Sequence, residues 1–354
     1  MNKPFLIYGA NGYTGELVAA EAVRQGLAPV LAGRTEAATA AVAERLGLAY
    51  RCFGLEDADA VAEGLAGMAA VIHCAGPFWR TALPMLEGCL RTQTHYLDIT
   101  GEIEVFQSLA ARDGDARTAG IMALPGAGFD VAPTDCLAAH LKRRLPDARH
   151  LVLAFKGLDE SSRGSLTTAV DSIARGNTGM IRRNGELAAV PSGWRTSLID
   201  FGAGPEPAVT IPWGDVFTAF HSTGIPNIET YMAANQETIR NMALGRYVTW
   251  LAKLGPVQRL LKRRIRQGKP GPTPAERARA RSYIWGMAED NSTAVQSRLV
   301  TPEGYTLTAL TSIRLIQKVL AGHAPAGYQT PSSAYGADFI MEIEGVTRED
   351  VRRE

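Results

Sequence analysis

Three glycines, Gly9, Gly12 and Gly15, set between a short apolar run and an amphipathic stretch, constrain this chain more than any other feature. Phe5 to Tyr8 reads as a strand, the pattern that stops at Gly26 as a helix, and Pro29 to Ala32 as a second strand ending at Gly33-Arg34. Strand, glycine turn, helix and strand in that order describe a βαβ unit with a dinucleotide-binding turn. One glycine permits the bend, one lets the backbone approach a pyrophosphate, and one lets helix pack on strand. The phosphates would rest on N–H groups at the helix start. The reading assigns Gly9, Asn11, Gly12, Tyr13, Thr14 and Gly15 to cofactor binding; the alternative is a turn that serves the fold alone.

The end of the second strand narrows the cofactor. An acid at that position binds the ribose 2′-hydroxyl of NAD, whereas an arginine suits the 2′-phosphate of NADP. Here Arg34 and Thr35 stand there, and the first acid is Glu36. NADP is therefore expected, against a solvated arginine that merely begins the next helix.

Beyond Arg34 the pattern alternates. TEAATAAVAERLGL reads as a helix with Thr35 as N-cap and Gly47 as stop, Tyr50 to Phe53 as a strand, LEDADAVAEGLAG as a helix and Ala70 to Cys74 as a buried strand. LPMLEGCLRTQ is a helix, HYLDITGE a strand with its exit loop, IEVFQSLAARDGDARTAG one longer helix, and IMALPGAGFD a last strand closing the domain near Val131. Such alternation implies a doubly wound parallel sheet covered on both faces. Ligands bind at the carboxyl ends of its strands, so the loop after Ala70 to Cys74 adds Cys74, Ala75, Gly76 and Pro77 to the cofactor site.

After Pro133 the character changes. TDCLAAHLKRRL reads as a helix, while RHLVLAFKGL, AVTIPWGDVFTAF, NIETYMA and STAVQSRLVTPEGY read as longer strands with one solvated face. The expected fold class is thus α/β, a Rossmann-type domain followed by a second α/β substrate domain with a mixed or antiparallel sheet. Expected boundaries are 1–135, 136–311, and a C-terminal segment, 312–354, returning to the first domain.

With 354 residues, 46% hydrophobic and a net charge of +1, the composition gives no reason to expect nucleic acid. Cys52, Cys74, Cys89 and Cys136 form no paired motif, so no metal site is expected. The first residues enter a strand without a signal-peptide core, and no later run is long and apolar enough to span a bilayer, which gives a cytoplasmic expectation.

The motifs GANGYTG (Gly9 to Gly15), AGR (Ala32 to Arg34), HCAGPF (His73 to Phe78), HYLDITGE (His95 to Glu102), PGAGFDVAPTD (Pro125 to Asp135) and the late AYGADF, taken in order, resemble the saccharopine dehydrogenase-like oxidoreductases. The likeness is to the compact branch that includes trans-acting enoyl reductases of lipid synthesis. It implies a Rossmann domain, a substrate domain and NAD(P)-linked reduction of a small or lipid-like C=C, C=N or C=O bond. The turn is G-x-x-G-x-x-G rather than G-x-G-x-x-G, and no motif marks an amino-dicarboxylate site, so a saccharopine-type imine reductase of amino-acid metabolism is the alternative. A non-enzymatic NADP sensor is the outside reading.

A reductase often needs a proton donor beside the atom that gains charge. Asp98 leaves a strand on the cofactor edge, Asp130 stands at the domain crossover, and His221, in FTAFHSTGIPN, combines titration near neutrality with an expected strand end. These are the catalytic candidates. His73 and Cys74 could equally be structural, and Ser165, Thr167 and Thr168 read as an N-cap and first helical turn. No Y-x-x-x-K occurs, and no cysteine has the context of a covalent nucleophile, which leaves direct hydride transfer.

Arg240 to Lys269 holds nine Lys and Arg and no acid. The stretch reads as amphipathic helices broken near Gly255-Pro256. It is either a solvated cover on the substrate domain or a dock for an acyl carrier protein or an anionic membrane surface, which would make the protein peripheral there. A homodimer is left open.

Overall fold

The computed structural model describes residues 4–157, 162–176, 179–245 and 254–351. The chain divides into two compact units, one of residues 1–132 with 305–335 and one of residues 133–304 with 336–354.

The first unit is built from β1 (Phe5–Tyr8), α1 (Tyr13–Arg24), β2 (Val30–Gly33), α2 (Glu36–Leu46), β3 (Tyr50–Cys52), α3 (Ala58–Leu65), β4 (Ala70–His73) and α4 (Phe78–Thr92). It continues with β5 (His95–Asp98), α5 (Ile103–Ala110), α6 (Asp113–Ala119) and β6 (Met122–Leu124). Every residue of β1, β4 and β6 is buried, as a parallel strand covered on both faces requires. The strands pair in the order β3-β2-β1-β4-β5-β6, all parallel, which is the doubly wound order with its switch point between β1 and β4. Residues 103–120, expected as one helix, form α5 and α6 with a break at Ala111–Arg112.

The remaining elements are α7 (Ala132–Arg144), β7 (His150–Lys156), α8 (Arg163–Arg175), β8 (Met180–Arg183), β9 (Glu186–Ala189), β10 (Thr196–Asp200), β11 (Pro205–Thr210), α9 (Asp215–Thr223), β12 (Asn227–Ala233) and α10 (Gln236–Gly245). There follow α11 (Gly255–Gln267), α12 (Pro274–Arg279), β13 (Arg281–Glu289), β14 (Ala294–Pro302), α13 (Gly304–Leu320), β15 (Gly327–Tyr328), α14 (Pro331–Tyr335) and β16 (Thr347–Val351). Most of α13, with β15 and α14, belongs to the first unit, and β15 extends its sheet beside β6.

The second unit holds a mixed sheet in the order β10-β11-β12-β7-β13-β14-β16. Its β7–β12 pair is parallel, and the other ladders along that path are antiparallel. One face buries Ala154, Ile199, Phe201, Ala208, Tyr231 and Trp285. The segment from Gly336 onward lies in this unit, where β16 pairs with β14.

The stretch AVTIPWGDVFTAF is only half a strand. β11 ends at Thr210, and α9 starts at Asp215 after the break at Pro212 to Gly214. Val216, Ala219 and Thr223 then fall on one buried helical face. Burial of that face outweighs the strand preference of its Val, Phe and Thr residues.

Candidate active site

Gly9 takes φ +80 and receives the loop after β4, since an added Cβ would lie 2.8 Å from Ala75 Cβ and N. Its N–H donates to Ala32 O at 2.8 Å, so the loops following β1 and β4 meet the end of β2 there. Gly15 is closed to a side chain, because a Cβ would lie 2.2 Å from Gly9 O. Gly12 is different: a Cβ there would meet only Gly9 O, at 3.2 Å, and otherwise open space. Gly12 is also the N-cap of α1, and no side chain caps that helix. The N–H groups of Thr14 and Gly15 in the first turn are thereby left for an anion. Two glycines thus seal the turn and the third keeps room over it, which fits a dinucleotide pyrophosphate.

At the end of β2, Gly33 is pressed by side chains, with Thr39 Oγ1 and Asn11 Oδ1 at 2.7 and 3.1 Å from the position of an added Cβ. Arg34 and Thr35 follow on the surface. The charge of Arg34 acts on Tyr8, whose hydroxyl donates to Phe53 O at 3.0 Å and is pushed up to about 12, chiefly by burial. Arg34 makes no ion pair among the described residues. A guanidinium exposed at this strand end suits a 2′-phosphate.

The loop Cys74 to Pro77 is fastened from below. Thr81 Oγ1 donates to Ala75 O at 2.8 Å, so it must accept from His73 Nε2, which lies 2.9 Å away. This network places the His73 proton on Nε2 and leaves Nδ1 a bare acceptor without a partner. Burial pushes His73 down to about 3, so the ring stays neutral and braces the loop rather than titrating. Burial likewise raises the Cys74 thiol far above its usual range, followed by the charge of Asp98.

Asp98 is fully buried and accepts from Tyr96 Oη at 2.6 Å, Thr100 N at 2.9 Å and Gly126 N at 3.0 Å. It ties the loop after β5 to the loop after β6. Desolvation outweighs these donors and pushes its carboxyl up to about 6. Asp130 stands beside Gly101, where an added Cβ would lie 2.6 Å from its Oδ2. Desolvation and then the charge of Glu102 push Asp130 up to about 7.

Glu102 is the residue that reading the sequence missed. Its carboxylate accepts from Phe78 N at 2.9 Å and Trp79 N at 3.2 Å, capping α4 from a loop that starts after another strand. Its charge raises both Asp98 and Asp130, making one cluster of carboxyls at the carboxyl edge of the sheet. Thr308 and Thr311 of α13 were missed as well. They accept from Phe129 N at 3.0 Å and donate to Ala127 O at 2.7 Å, holding the loop that carries Asp130. Replacing Glu102 by Ala is expected to cost about 1–2 kcal/mol, since one buried and one half-buried N–H group lose their acceptor. Urea unfolding checks this, and an unchanged midpoint would remove Glu102 from its capping role.

His221 is not at a strand end. It lies exposed in the last turn of α9, in the second unit, because the chain between Pro212 and Gly214 turns this segment into a helix. Asp135 sits in the first turn of α7, buried, and accepts from Ser222 Oγ. Ser162, not Ser165, caps α8, accepting from Ser165 N at 3.2 Å. The second unit carries an open cleft of about 530 Å³ at the carboxyl ends of β7 and β12, lined by Phe155, Lys156, Glu206, Met232 and Tyr283 among others. Lys156 is paired there with Glu206 and lies 5.1 Å from the Tyr283 ring centre. Such walls suit an apolar ligand with a polar end.

The parallel sheet and the glycine cradle define a dinucleotide-binding domain of the Rossmann type. Residues 5–124 match the family model for the saccharopine dehydrogenase NADP binding domain, which makes NADP the cofactor of the first unit. A trans-acting enoyl reductase of Mycobacterium leprae is 34% identical over 41% of this chain and 36% of its own length. One of Mycobacterium tuberculosis is 31% identical over 39% and 35%. The alignments therefore span little more than a third of each relative. Saccharopine dehydrogenase (L-Glu forming) of Saccharomyces cerevisiae superposes with a TM-score of 0.64 over 99% of this chain and 100% of its own, at 14% identity, which shows a common fold. Among the described residues no helix is long and apolar enough to cross a membrane.

Proposed function

We propose that this chain is an NADPH-dependent reductase acting on the activated C=C bond of a lipid-like enoyl substrate. The observation that carries the reading is the open cradle at Gly12 at the same sheet edge as the carboxyl cluster of Asp98, Glu102 and Asp130. The name of the mycobacterial relatives supports the enoyl substrate over an imine. When bound, the dinucleotide supplies the hydride. Thr14 and Gly15 hold its pyrophosphate through backbone N–H groups, and Arg34 its 2′-phosphate. Asp130, a carboxyl that keeps its proton to near neutrality, delivers that proton to the carbon that gains charge. Asp98 positions the two loops that frame it. A lipid-like substrate calls for delivery at a surface, and the basic helix α11 offers one, to an anionic bilayer or an acyl carrier protein.

The test is NADPH oxidation with an enoyl thioester, a cyclic imine and a ketone compared side by side. The enoyl thioester should be reduced fastest. Faster imine reduction would shift the assignment to a saccharopine-type enzyme, and tight NADPH binding with no turnover at all would make the chain a sensor.

Arg34→Ala should weaken NADPH by at least about 10-fold, because charge-assisted bonds are worth about 1.5–3 kcal/mol. NADH affinity should hardly change. Equal losses in titrations of the two cofactors would refute the role of Arg34.

A further inference from the structure

We infer that α8 and α11 of the second unit form a docking face for an anionic lipid bilayer. These two helices would dock whether or not the chain transfers hydride.

The helices are joined. Lys262 Nζ lies 2.5 Å from Asp171 Oδ1, and the Arg163 guanidinium donates to Gly268 O at 3.0 and 2.5 Å. Yet neither buries its apolar residues. No residue of α11 is buried, and Leu260 is 54% and Leu254 44% exposed. On α8, Leu166 and Ile173 are 42% and 39% exposed, and with Ala169 they recur at i, i+3 and i+7 on one face. Leu254 and Leu261 share a face of α11 by the same spacing, with Leu260 next to it. Two joined helices therefore present leucine and isoleucine to water where packing would have covered them.

Arginine forms the polar side of α11. Arg259, Arg263 and Arg266 fall at i, i+4 and i+7 along the other side of α11, and Arg264 lies one turn from Leu260 and Leu261. No Asp or Glu occurs between Glu237 and Glu276. The nine cations of Arg240 to Lys269 in a chain of net charge +1 leave 1 − 9 = −8 for the remainder. Of these cations, α11 itself carries Arg259, Lys262, Arg263, Arg264 and Arg266 with no acid, so an anionic plane attracts this helix. Leu260 with Arg263 and Arg264 at i+3 and i+4 matches the boundary between acyl chains and headgroups, and Arg259 and Arg266 add charge from the polar side of the helix. A small acidic protein would satisfy the arginines but needs no strip of leucines, which favours the bilayer. Tyr247, Trp250 and Leu251 lie outside the described residues.

Lys262 cannot serve in the test, because it holds α11 to α8. The informative variants are R259E/R263E/R264E and L260S/L261S, all at exposed positions. Full-length protein is sedimented with vesicles of phosphatidylcholine alone or with phosphatidylglycerol added. Wild type should bind the anionic vesicles, leave the neutral ones, and dissociate as salt rises from about 0.05 M to about 0.5 M. The charge-reversed variant should lose at least about 100-fold in affinity, since each of the three cations near an anionic surface contributes about 1 kcal/mol, or about fivefold. The leucine variant should lose at least about tenfold. NADPH titration of both variants should match wild type, which shows that they are folded. If wild type ignores anionic vesicles at low salt, the bilayer is excluded. Binding of holo-acyl carrier protein in that case would assign the face to a protein instead. A leucine variant that binds as wild type does would overturn the insertion. Failure of wild type to bind NADPH would strike the cofactor reading and leave this face untouched.

Discussion

Gly12→Val is expected to give a folded protein that does not bind NADPH. The backbone at Gly12 has φ −86 and ψ 159, a conformation any residue adopts, so valine introduces no backbone strain. Its Cβ would meet only Gly9 O at 3.2 Å, a contact that a shift of a few tenths of an ångström relieves. Replacing a glycine N-cap by valine costs about 1 kcal/mol or less, which for a chain of this size lowers Tm by roughly 2–4 °C. The side chain stands where the backbone must meet the pyrophosphate, and the loss of binding should be at least about 100-fold, about 2.7 kcal/mol. Gly15→Val makes the contrast. Its Cβ would lie 2.2 Å from Gly9 O and 2.9 Å from Ala10 Cα, so that variant should fail to fold. Calorimetric titration and a thermal melt of both proteins separate the two roles. Normal NADPH affinity in folded Gly12→Val would remove the cradle.

The difference between these glycines was not legible in their spacing, although their presence was. A glycine turn followed by a helix announces a dinucleotide site because few other sequences permit that backbone. Which glycine faces a ligand and which faces Ala75 depends on β4, some sixty residues away in the chain. Arg34 was legible for the same local reason, standing directly after the strand that positions it. Glu102 was not, since its partners Phe78 N and Trp79 N belong to a helix that precedes it. β15 could not be read at all: its Gly327–Tyr328 carries no alternation, and only backbone pairing with Met122 and Ala123 makes it a strand. His221 was misplaced because Val, Phe and Thr in DVFTAFHST suggest a strand, while the buried face of Val216, Ala219 and Thr223 decides for a helix. Its exposure on that helix withdraws the positional argument that made it a catalytic candidate.

With His73 held neutral and His221 placed on an exposed helix, Asp130 carries the acid chemistry of the proposed reaction, and its pH dependence has a definite sign. Desolvation, and then the charge of Glu102, raise its carboxyl from 3.8 to about 7. A proton donor acts in its protonated form, so turnover should fall as pH rises through about 7. Asp130→Asn should lower kcat by about 100-fold or more, abolish that limb and leave NADPH affinity unchanged. Glu102→Gln removes the neighbouring charge and should move the limb to lower pH. Stability provides a readout that needs no substrate. A carboxyl whose folded value is raised contributes stability that is complete below 3.8 and is lost as pH climbs through about 7. Wild type should therefore weaken across that window, with Asp98, raised to about 6, acting in the same direction. Asp130→Asn should weaken less, so its stability relative to wild type should improve between pH 5 and pH 8 on denaturant titration, an interval of roughly the width such shifts imply. Parallel stability profiles for the two proteins would show that Asp130 is ionised throughout, and the proton would then come from solvent.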